Sequence, residues 1–315
     1  MEHRRIGQLE VSVGGLGCNN FGMSIDEEQT AEVVRAALDA GINYFDTAEM
    51  YGKGRSEEWL GKALGARRSE VIVGTKWGHK ASLGEGERGG DPERARRSLD
   101  ASLRRLGTDY VDHYQLHTPD PHTPDEETLG VLAELRREGK VREIGCSNFS
   151  AGELDGAAKA ASVRDLPPYA SVQNHYSMLN RAPEKEGVLE ACARHGLAFV
   201  PYFPLESGLL TGKYRLGEGR PEGSRLQKWG ERATAFIDDD KLATVDRLST
   251  WAEARGHTLL ELAMSWLAGN PNVASVIAGA TRPEQVRANA AALGWVLTDA
   301  ERAQVEGLLR GPAGA

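Results

Sequence analysis

The stretch AEVVRAALDAGINYFDTA, residues 31–48, contains the repeating unit on which the fold rests. Its first part places apolar side chains about one helical turn apart. These side chains are Val33, Val34, Ala37 and Leu38. Gly41 then supplies the left-handed position at which helices commonly end. Residues 42–45 are a short apolar strand that leads into Asp46. A parallel α/β fold is built by repeating this unit, in which a helix is followed by a strand and the strand by polar residues.

The same unit recurs further along the chain. The stretch TPDE at 123–126 predicts a capping box with proline in the first helical position. Gly139 ends that helix, and the strand after it runs up to Asn148. Residues 188–202 repeat the pattern, with Gly196 between the helix and the strand. Together with the other apolar runs this makes eight strands, at 14–17, 42–45, 71–75, 111–116, up to 148, 170–173, 198–202 and 274–277.

Several of these strands are continuous apolar runs, which a parallel sheet covered on both faces requires. Eight such strands predict an α/β fold of the (β/α)8 TIM-barrel type, although periodicity alone leaves an open sheet possible. We expect one domain over residues 1–315, with a short β-hairpin at 4–11 before the first barrel strand. The longest loop, at about 214–240, follows the seventh strand, where long loops usually serve ligands.

Composition narrows the possible functions. The 315 residues carry 38 Lys and Arg against 46 Asp and Glu, a net charge of −8, without a basic block interleaved with aromatics, so nucleic acid is not an expected partner. The chain shows neither a signal peptide nor a membrane span, which predicts a cytoplasmic protein without membrane contact. Its three cysteines are widely spaced, and neither a disulfide framework nor a metal site is expected.

Four residues that could take part in catalysis lie at or shortly after the ends of predicted strands, where the active sites of TIM barrels form. They are Asp46, Tyr51, Lys76 and His117. Each could instead be structural, as a helix cap, a packed ring, a solvated strand end or a core histidine. Together they suit hydride addition to a carbonyl, because the oxygen that gains charge must receive a proton. Tyr51 could donate it, Lys76 could stabilise the phenolate, Asp46 could hold that lysine, and His117 could polarise the carbonyl.

The chain resembles the aldo-keto reductases, a family of (β/α)8 barrels with an Asp, Tyr, Lys and His tetrad that matches these four positions. The matching motifs are GINYFDTA at 41–48, a segment ending QLH at 115–117, and KVREIGCSNF at 140–149. The resemblance covers nearly the whole chain. It implies an NADPH-dependent oxidoreductase that reduces a small aldehyde or ketone without metal or flavin, with Tyr51 as the general acid.

The resemblance also implies which residues hold NADP(H). Ser147, Asn148 and Gln173 would bind the carboxamide, and Tyr202 would stack on the nicotinamide ring. The stretch 204–213 would cross the pyrophosphate and Arg225 would stack on adenine. A helix start at Thr281, with a predicted capping box to Glu284, would bind the ribose and its 2′-phosphate, which favours NADPH over NADH. The full set is Asn20, Asp46, Ser147, Asn148, Gln173, Tyr202, Pro204, Leu205, Gly208, Lys213, Arg225, Gly279, Thr281, Arg282, Gln285 and Asn289.

Phe21, Trp77 and Tyr176 are the predicted substrate wall. The main alternative function is that of a nucleotide-binding regulatory subunit, since the potassium-channel β-subunits are similar to this family. Those proteins typically have asparagine at the position of His117, so the histidine favours an enzyme. A metal-dependent barrel hydrolase would need several clustered ligands, and the strand ends offer only Asp46 and His117. Neither the substrate nor the oligomeric state follows from the sequence.

Overall fold

The computed structural model describes residues 1–214, 221, 222, 227, 230 and 237–310. The chain opens with two short antiparallel strands, β1 (His3–Ile6) and β2 (Leu9–Ser12). Their apolar side chains pack against residues near the N-terminal ends of the following strands, including Tyr44 and Ala198. The predicted hairpin is therefore present, and it covers the end of the barrel opposite the strands' carboxyl ends.

All eight predicted barrel strands are present, and they form one parallel sheet in the order β10-β3-β4-β5-β6-β7-β8-β9. Their bounds are β3 (Gly14–Gly17), β4 (Tyr44–Asp46), β5 (Ile72–Trp77), β6 (Val111–Leu116), β7 (Val141–Ser147), β8 (Ser171–His175), β9 (Ala198–Tyr202) and β10 (Val276–Gly279). A parallel bridge between Phe199 and Val273 joins the two outer strands. Because this bridge leaves neither end of the sheet open, the strands form a closed barrel of the predicted TIM type.

Helices connect the strands, as the repeated unit predicts. Those described are α1 (Glu27–Asp39), α2 (Arg55–Leu64), α3 (Pro92–Leu106), α4 (Asp125–Arg137), α5 (Ala151–Arg164), α6 (Ala182–Lys185), α7 (Val188–His195), α8 (Asp239–Glu253), α9 (Leu259–Ala268), α10 (Pro283–Ala291) and α11 (Asp299–Leu309). Their apolar faces and those of the strands form one continuous core. None of these helices is long and apolar enough to span a bilayer.

Both predicted capping boxes are wrong. Pro124 occupies the N-cap of α4 and has no capping side chain, while the Thr123 hydroxyl donates to Asp120 at 2.6 Å. Arg282 is the N-cap of α10, also without a side-chain cap. The Thr281 hydroxyl bonds to Gln285 instead of capping the helix. In both cases the helix begins one residue later than the predicted box requires, so Thr123 and Thr281 lie before the N-cap. Pro283 occupies the first helical position of α10, which prolines favour, whereas Pro124 is itself the N-cap of α4.

Polar side chains gather at the carboxyl ends of the barrel strands, where the predicted site lies. Most of the predicted long loop lies outside the described residues, and so does Arg225. Helix α8 begins directly after it, capped by Asp238.

Candidate active site

A buried ion pair lies at the centre of the site. Asp46 ends β4 and Lys76 lies on the neighbouring strand β5, so parallel pairing brings the two strand ends together. The Lys76 ammonium donates to Asp46 Oδ2 at 2.5 Å and to the carbonyl of Thr47 at 2.9 Å. Lys76 is 0% exposed and Asp46 is 3% exposed. Burial at this level makes the charge of each residue dependent on the other.

Tyr51 and His117 lie beside this pair. The Lys76 ammonium is 5.3 Å from the centroid of the Tyr51 ring. The rings of Tyr51 and His117 meet edge to face, with centroids 5.9 Å apart. Tyr51 begins a short 3₁₀ turn (Tyr51–Gly54) in which Gly52 has φ of 58°, and a Cβ on Gly52 would lie 2.7 Å from the carbonyl oxygen of Phe21. This glycine therefore lets the turn approach close enough to place Tyr51 at the barrel mouth.

The environment sets the protonation states of the tetrad. Burial raises the pKa of the Tyr51 hydroxyl above its usual value, and the Lys76 ammonium opposes that rise. Burial acts to lower the pKa of Lys76, but the charge of Asp46, the nearby Tyr51 and the hydrogen bond to Asp46 together outweigh it, so the net shift is upward. Burial, with the charge of Lys76 nearby, lowers the pKa of His117 to about 2. At neutral pH the site therefore holds a protonated phenol, an ammonium and a neutral imidazole.

Two glutamines hold the second oxygen of Asp46, and the sequence analysis missed this role for both. Gln173 Nε2 donates to Asp46 Oδ1 at 2.9 Å, and Gln115 Nε2 donates to the same oxygen at 3.2 Å. Gln173 also donates to Gln115 Oε1 at 3.3 Å. Gln115 lies two residues before His117 at the end of strand β6, and this spacing puts both side chains on one face of the strand. The alternation was the signal in the sequence that could have placed Gln115 at the site.

The residues expected around the nicotinamide form a connected network. Asn148 donates to the carbonyl of His117 at 3.0 Å and to the Ser147 hydroxyl at 3.1 Å. Tyr202 donates to Asn148 Oδ1 at 2.8 Å, and its ring is stacked on His175. Gln173 Oε1 has no hydrogen-bond partner within the part of the chain that the structure describes. The residues predicted to bind the carboxamide are thus held in place, and Gln173 Oε1 accepts from none of the described residues.

The segment after β9 has an unusual backbone. Phe203, Glu206 and Ser207 all have positive φ, as does Gly208 at 99°. A Cβ on Gly208 would lie 2.9 Å from the ammonium of Lys213, so the lysine lies directly over this glycine. Pro204 is buried and Leu205 half-buried at the start of the same turn. Within the turn the N–H groups of Glu206 and Gly208 donate to the carbonyls of Phe203 and Leu205, so the Lys213 ammonium beside the turn is the group that suits the pyrophosphate contact expected here.

The residues expected at the adenosine end meet at the start of α10. The backbone N–H and hydroxyl of Thr281 both donate to Gln285 Oε1, at 2.8 and 3.1 Å. Gln285 and Asn289 lie four residues apart and therefore share one face of the helix. Asn20 donates to the carbonyl of Ala280 at 3.2 Å, and the Asn20 amide nitrogen lies 3.2 Å from a Cβ built on Gly279. Arg282 is exposed, and its side chain bonds to none of the described residues.

The three predicted substrate contacts are at most 2% exposed. Trp77 stacks on Tyr114 with ring centroids 4.2 Å apart. Tyr176 packs against Trp266, and no contact among the described residues joins it to the tetrad. Substrate contact by Phe21, Trp77 and Tyr176 stays a prediction. His79, which the sequence analysis did not consider, lies against the ring of His117. Within the described ranges, no group of three or more His, Cys, Asp or Glu side chains could hold a metal.

Comparison with known proteins adds to this geometry. The model of the aldo/keto reductase family matches residues 12–310. A probable voltage-gated potassium channel subunit beta of Arabidopsis thaliana is 36% identical, over 92% of this chain and 90% of that protein. L-glyceraldehyde 3-phosphate reductase of Escherichia coli (strain K12) is 34% identical, over 93% of this chain and 88% of that protein. Among solved structures, the glycerol dehydrogenase AKR11B4 of Gluconobacter oxydans has a TM-score of 0.82 at 31% identity, covering 99% of this chain and 97% of its own.

Proposed function

Because this chain belongs to the aldo/keto reductase family of nicotinamide-dependent oxidoreductases, we propose that it uses NADPH to reduce an aldehyde or ketone to an alcohol. Tyr51 is the general acid. One observation carries the proposal: a buried Asp46–Lys76 pair lies next to a protonated tyrosine and a neutral histidine. Each of the four side chains has a distinct part in delivering one proton to a carbonyl oxygen.

Tyr51 supplies that proton. Its raised pKa keeps the hydroxyl protonated at neutral pH, so it can donate to the carbonyl oxygen as negative charge develops there. The phenolate that remains is stabilised by the Lys76 ammonium, which Asp46 keeps charged. In the oxidation of an alcohol the same groups act in reverse, with Tyr51 as the base.

His117 orients the substrate. A neutral imidazole carries one N–H donor and one acceptor nitrogen. Neither ring nitrogen of His117 bonds to a described residue, and Nδ1 is buried. The ring can therefore form a hydrogen bond with a carbonyl oxygen that is placed between it and Tyr51. Protonation of His117 does not compete, because its pKa is about 2.

The chain's polar groups fit a dinucleotide. Gln173 Oε1 suits a carboxamide N–H, and the Tyr202 ring offers a stacking face for nicotinamide. Lys213 beside the turn at 204–208 suits the pyrophosphate. The guanidinium of Arg282 at the start of α10, which bonds to none of the described residues, suits the 2′-phosphate of NADPH. When bound, NADPH supplies the hydride that the carbonyl carbon receives.

The test is NADPH oxidation, followed by absorbance, with a panel of aromatic, aliphatic and sugar aldehydes. Tyr51→Phe should lower kcat by about 10²–10⁴-fold, the usual contribution of a general acid, and leave the Kd of NADPH nearly unchanged. Tyr110→Phe is the matched control, because Tyr110 lies between the guanidinium groups of Arg68 and Arg142, away from the tetrad. Near wild-type turnover by Tyr51→Phe would contradict the proposed role.

A second candidate is a nucleotide-binding regulatory subunit, which the 36% identity to the Arabidopsis channel subunit favours. It predicts that the chain binds NADPH in a fluorescence titration while the whole aldehyde panel remains unreduced. Turnover that is lost in Tyr51→Phe excludes this second candidate as the sole function.

A further inference from the structure

His79 lies in the loop after β5, three residues beyond Lys76, and hydrogen bonds on both sides hold it in place. The N–H of Gly78 donates to Glu49 Oε1 at 3.0 Å. The Thr118 hydroxyl donates to the carbonyl of Gly78 at 3.0 Å and accepts from the N–H of Lys80 at 3.2 Å. Because Thr118 directly follows His117, these bonds fasten the loop to the end of strand β6. The backbone of His79 is thus anchored beside the catalytic histidine.

The ring of His79 has a defined orientation and a free donor. Its Nδ1 accepts a hydrogen bond from the N–H of Ala81 at 3.1 Å. Burial, with Lys80 adding to the effect, lowers the pKa of His79, so the ring is neutral at pH 7 and carries its proton on Nε2. No described residue accepts from that Nε2–H. The ring meets His117 edge to face, with centroids 4.6 Å apart at 73°.

We propose that His79 is a substrate-binding residue that donates from Nε2 to an oxygen on the carbon next to the reacting carbonyl. The enzyme then selects 2-hydroxy and 2-oxo aldehydes and ketones over simple ones. This inference rests on the proposed function, since it takes the reacting carbonyl to lie at Tyr51 and His117. It adds the substrate class to that function.

The short distance between the rings of His79 and His117 indicates the class of substrate. The proposed function places the carbonyl oxygen at His117, and the rings of His79 and His117 are in contact. A donor on a ring this close to His117 suits a group adjacent to the carbonyl better than the far end of a long substrate. Bound substrate would cover this partly buried donor, so an analogue that lacks the matching oxygen leaves it unpaired and binds less well. The apolar residues nearby supply no such discrimination.

The experiment measures one ratio: kcat/KM for 2-hydroxypropanal divided by kcat/KM for propanal, with NADPH. His79→Leu removes the donor and should lower this ratio about tenfold, mainly through a higher KM for 2-hydroxypropanal. His79→Asn keeps an acceptor for the Ala81 N–H and an amide donor, so it should restore most of the ratio. Lys80→Ala is the control, because this exposed side chain in the same loop bonds to none of the described residues.

The outcomes separate the two claims. A purely structural role for His79 would lower both kcat/KM values in proportion, and an unchanged ratio in His79→Leu would overturn the inference. A ratio that falls equally in His79→Leu and Lys80→Ala would also overturn it, because the loop and not the donor would then be responsible. If wild-type protein reduces no aldehyde of the panel, the proposed function fails and the inference fails with it. If it reduces other aldehydes but not 2-hydroxypropanal, only the inference fails. If Tyr51→Phe abolishes propanal turnover but His79→Leu leaves the ratio unchanged, only the inference fails.

Discussion

Asp46→Asn should destabilise the fold through Lys76. The substitution keeps the shape of the side chain, and its amide oxygen can still accept from Gln115 and Gln173 at the Oδ1 position. Its amide nitrogen would then face the Lys76 ammonium, donor against donor, where the carboxylate now accepts at 2.5 Å. Among the described residues, the ammonium would keep the carbonyl of Thr47 at 2.9 Å and the neutral hydroxyl of Tyr51, and neither of them carries a charge.

The magnitude follows from burial. Lys76 is 0% exposed, so water cannot replace the lost partner. Removing one partner of a buried ion pair leaves an uncompensated charge, which costs about 3–5 kcal/mol of unfolding free energy. We therefore expect the unfolding free energy of Asp46→Asn at pH 7 to be lower by an amount in that range.

The pH dependence should change sign. In the wild type the pKa of Lys76 is raised, so its stabilisation is present at neutral pH and is lost as pH rises through the folded-state pKa. Without Asp46 the same lysine should have a folded-state pKa below its unfolded value of about 10.4. The variant should then gain stability as pH rises toward that value, by up to about 1.4 kcal/mol per pH unit. The difference between the two proteins should shrink from pH 7 to pH 9.5.

Urea unfolding of both proteins at pH 7, 8.5 and 9.5 measures this. The control is the double variant Asp46→Asn with Lys76→Met, which removes both charges and should recover most of the lost stability. A loss below about 1 kcal/mol at pH 7 would refute the reasoning, because a buried unpaired ammonium must cost more. A double variant as unstable as Asp46→Asn alone would refute it as well, since the cost could not then come from the charge of Lys76.

Three shorter predictions concern other parts of the molecule. Arg282→Ala should weaken NADPH about tenfold or more and leave NADH nearly unchanged in a fluorescence titration, because only NADPH carries the 2′-phosphate; equal losses would contradict this. Gly145→Ala should cost about 1–3 kcal/mol of stability, measured as a lower Tm, because its Cβ would lie 2.4 Å from His113 Nε2; an unchanged Tm would show that the barrel interior can adjust. Burial lowers the pKa of His113 to about 3, so between pH ~6.5 and that value only the unfolded chain binds this proton. His113 should therefore contribute about 1.4 kcal/mol per pH unit to the loss of stability as pH falls, in addition to the contribution of His117. His113→Gln should flatten that slope in urea unfolding, and an equally steep slope would place its origin elsewhere.

The barrel strands could be predicted because their signal is local. Apolar runs such as 111–116 and helix-ending glycines such as Gly196 describe one element at a time, and all eight strands are present. The helix starts were harder to predict. At Thr123 and Thr281 the spacing alone suggested a capping box, but each helix has its N-cap one residue later, at Pro124 and at Arg282.

The meeting of the four candidate catalytic residues also followed from the chain, because parallel strands bring their carboxyl ends to one side of a barrel. Asp46, Lys76 and His117 come directly at or after strand ends, and Tyr51 follows Asp46 within one short loop. The structure brings the four together, while their roles stay predictions.

Only the tertiary structure determined which groups bond to each other at that mouth. Gln115 and Gln173 lie 58 residues apart, and although alternation places Gln115 on the same face as His117, the sequence does not indicate that both glutamines bond to Asp46. Trp77 is stacked on Tyr114 and fully buried, whereas His79 reaches the ring of His117. The physical reason is that hydrophobic periodicity and turn residues act between positions that are close together in the sequence. The sequence alone therefore determined the elements and their order. Strand register and loop anchoring set distances of a few ångströms between distant residues, and these decided the chemistry of the site.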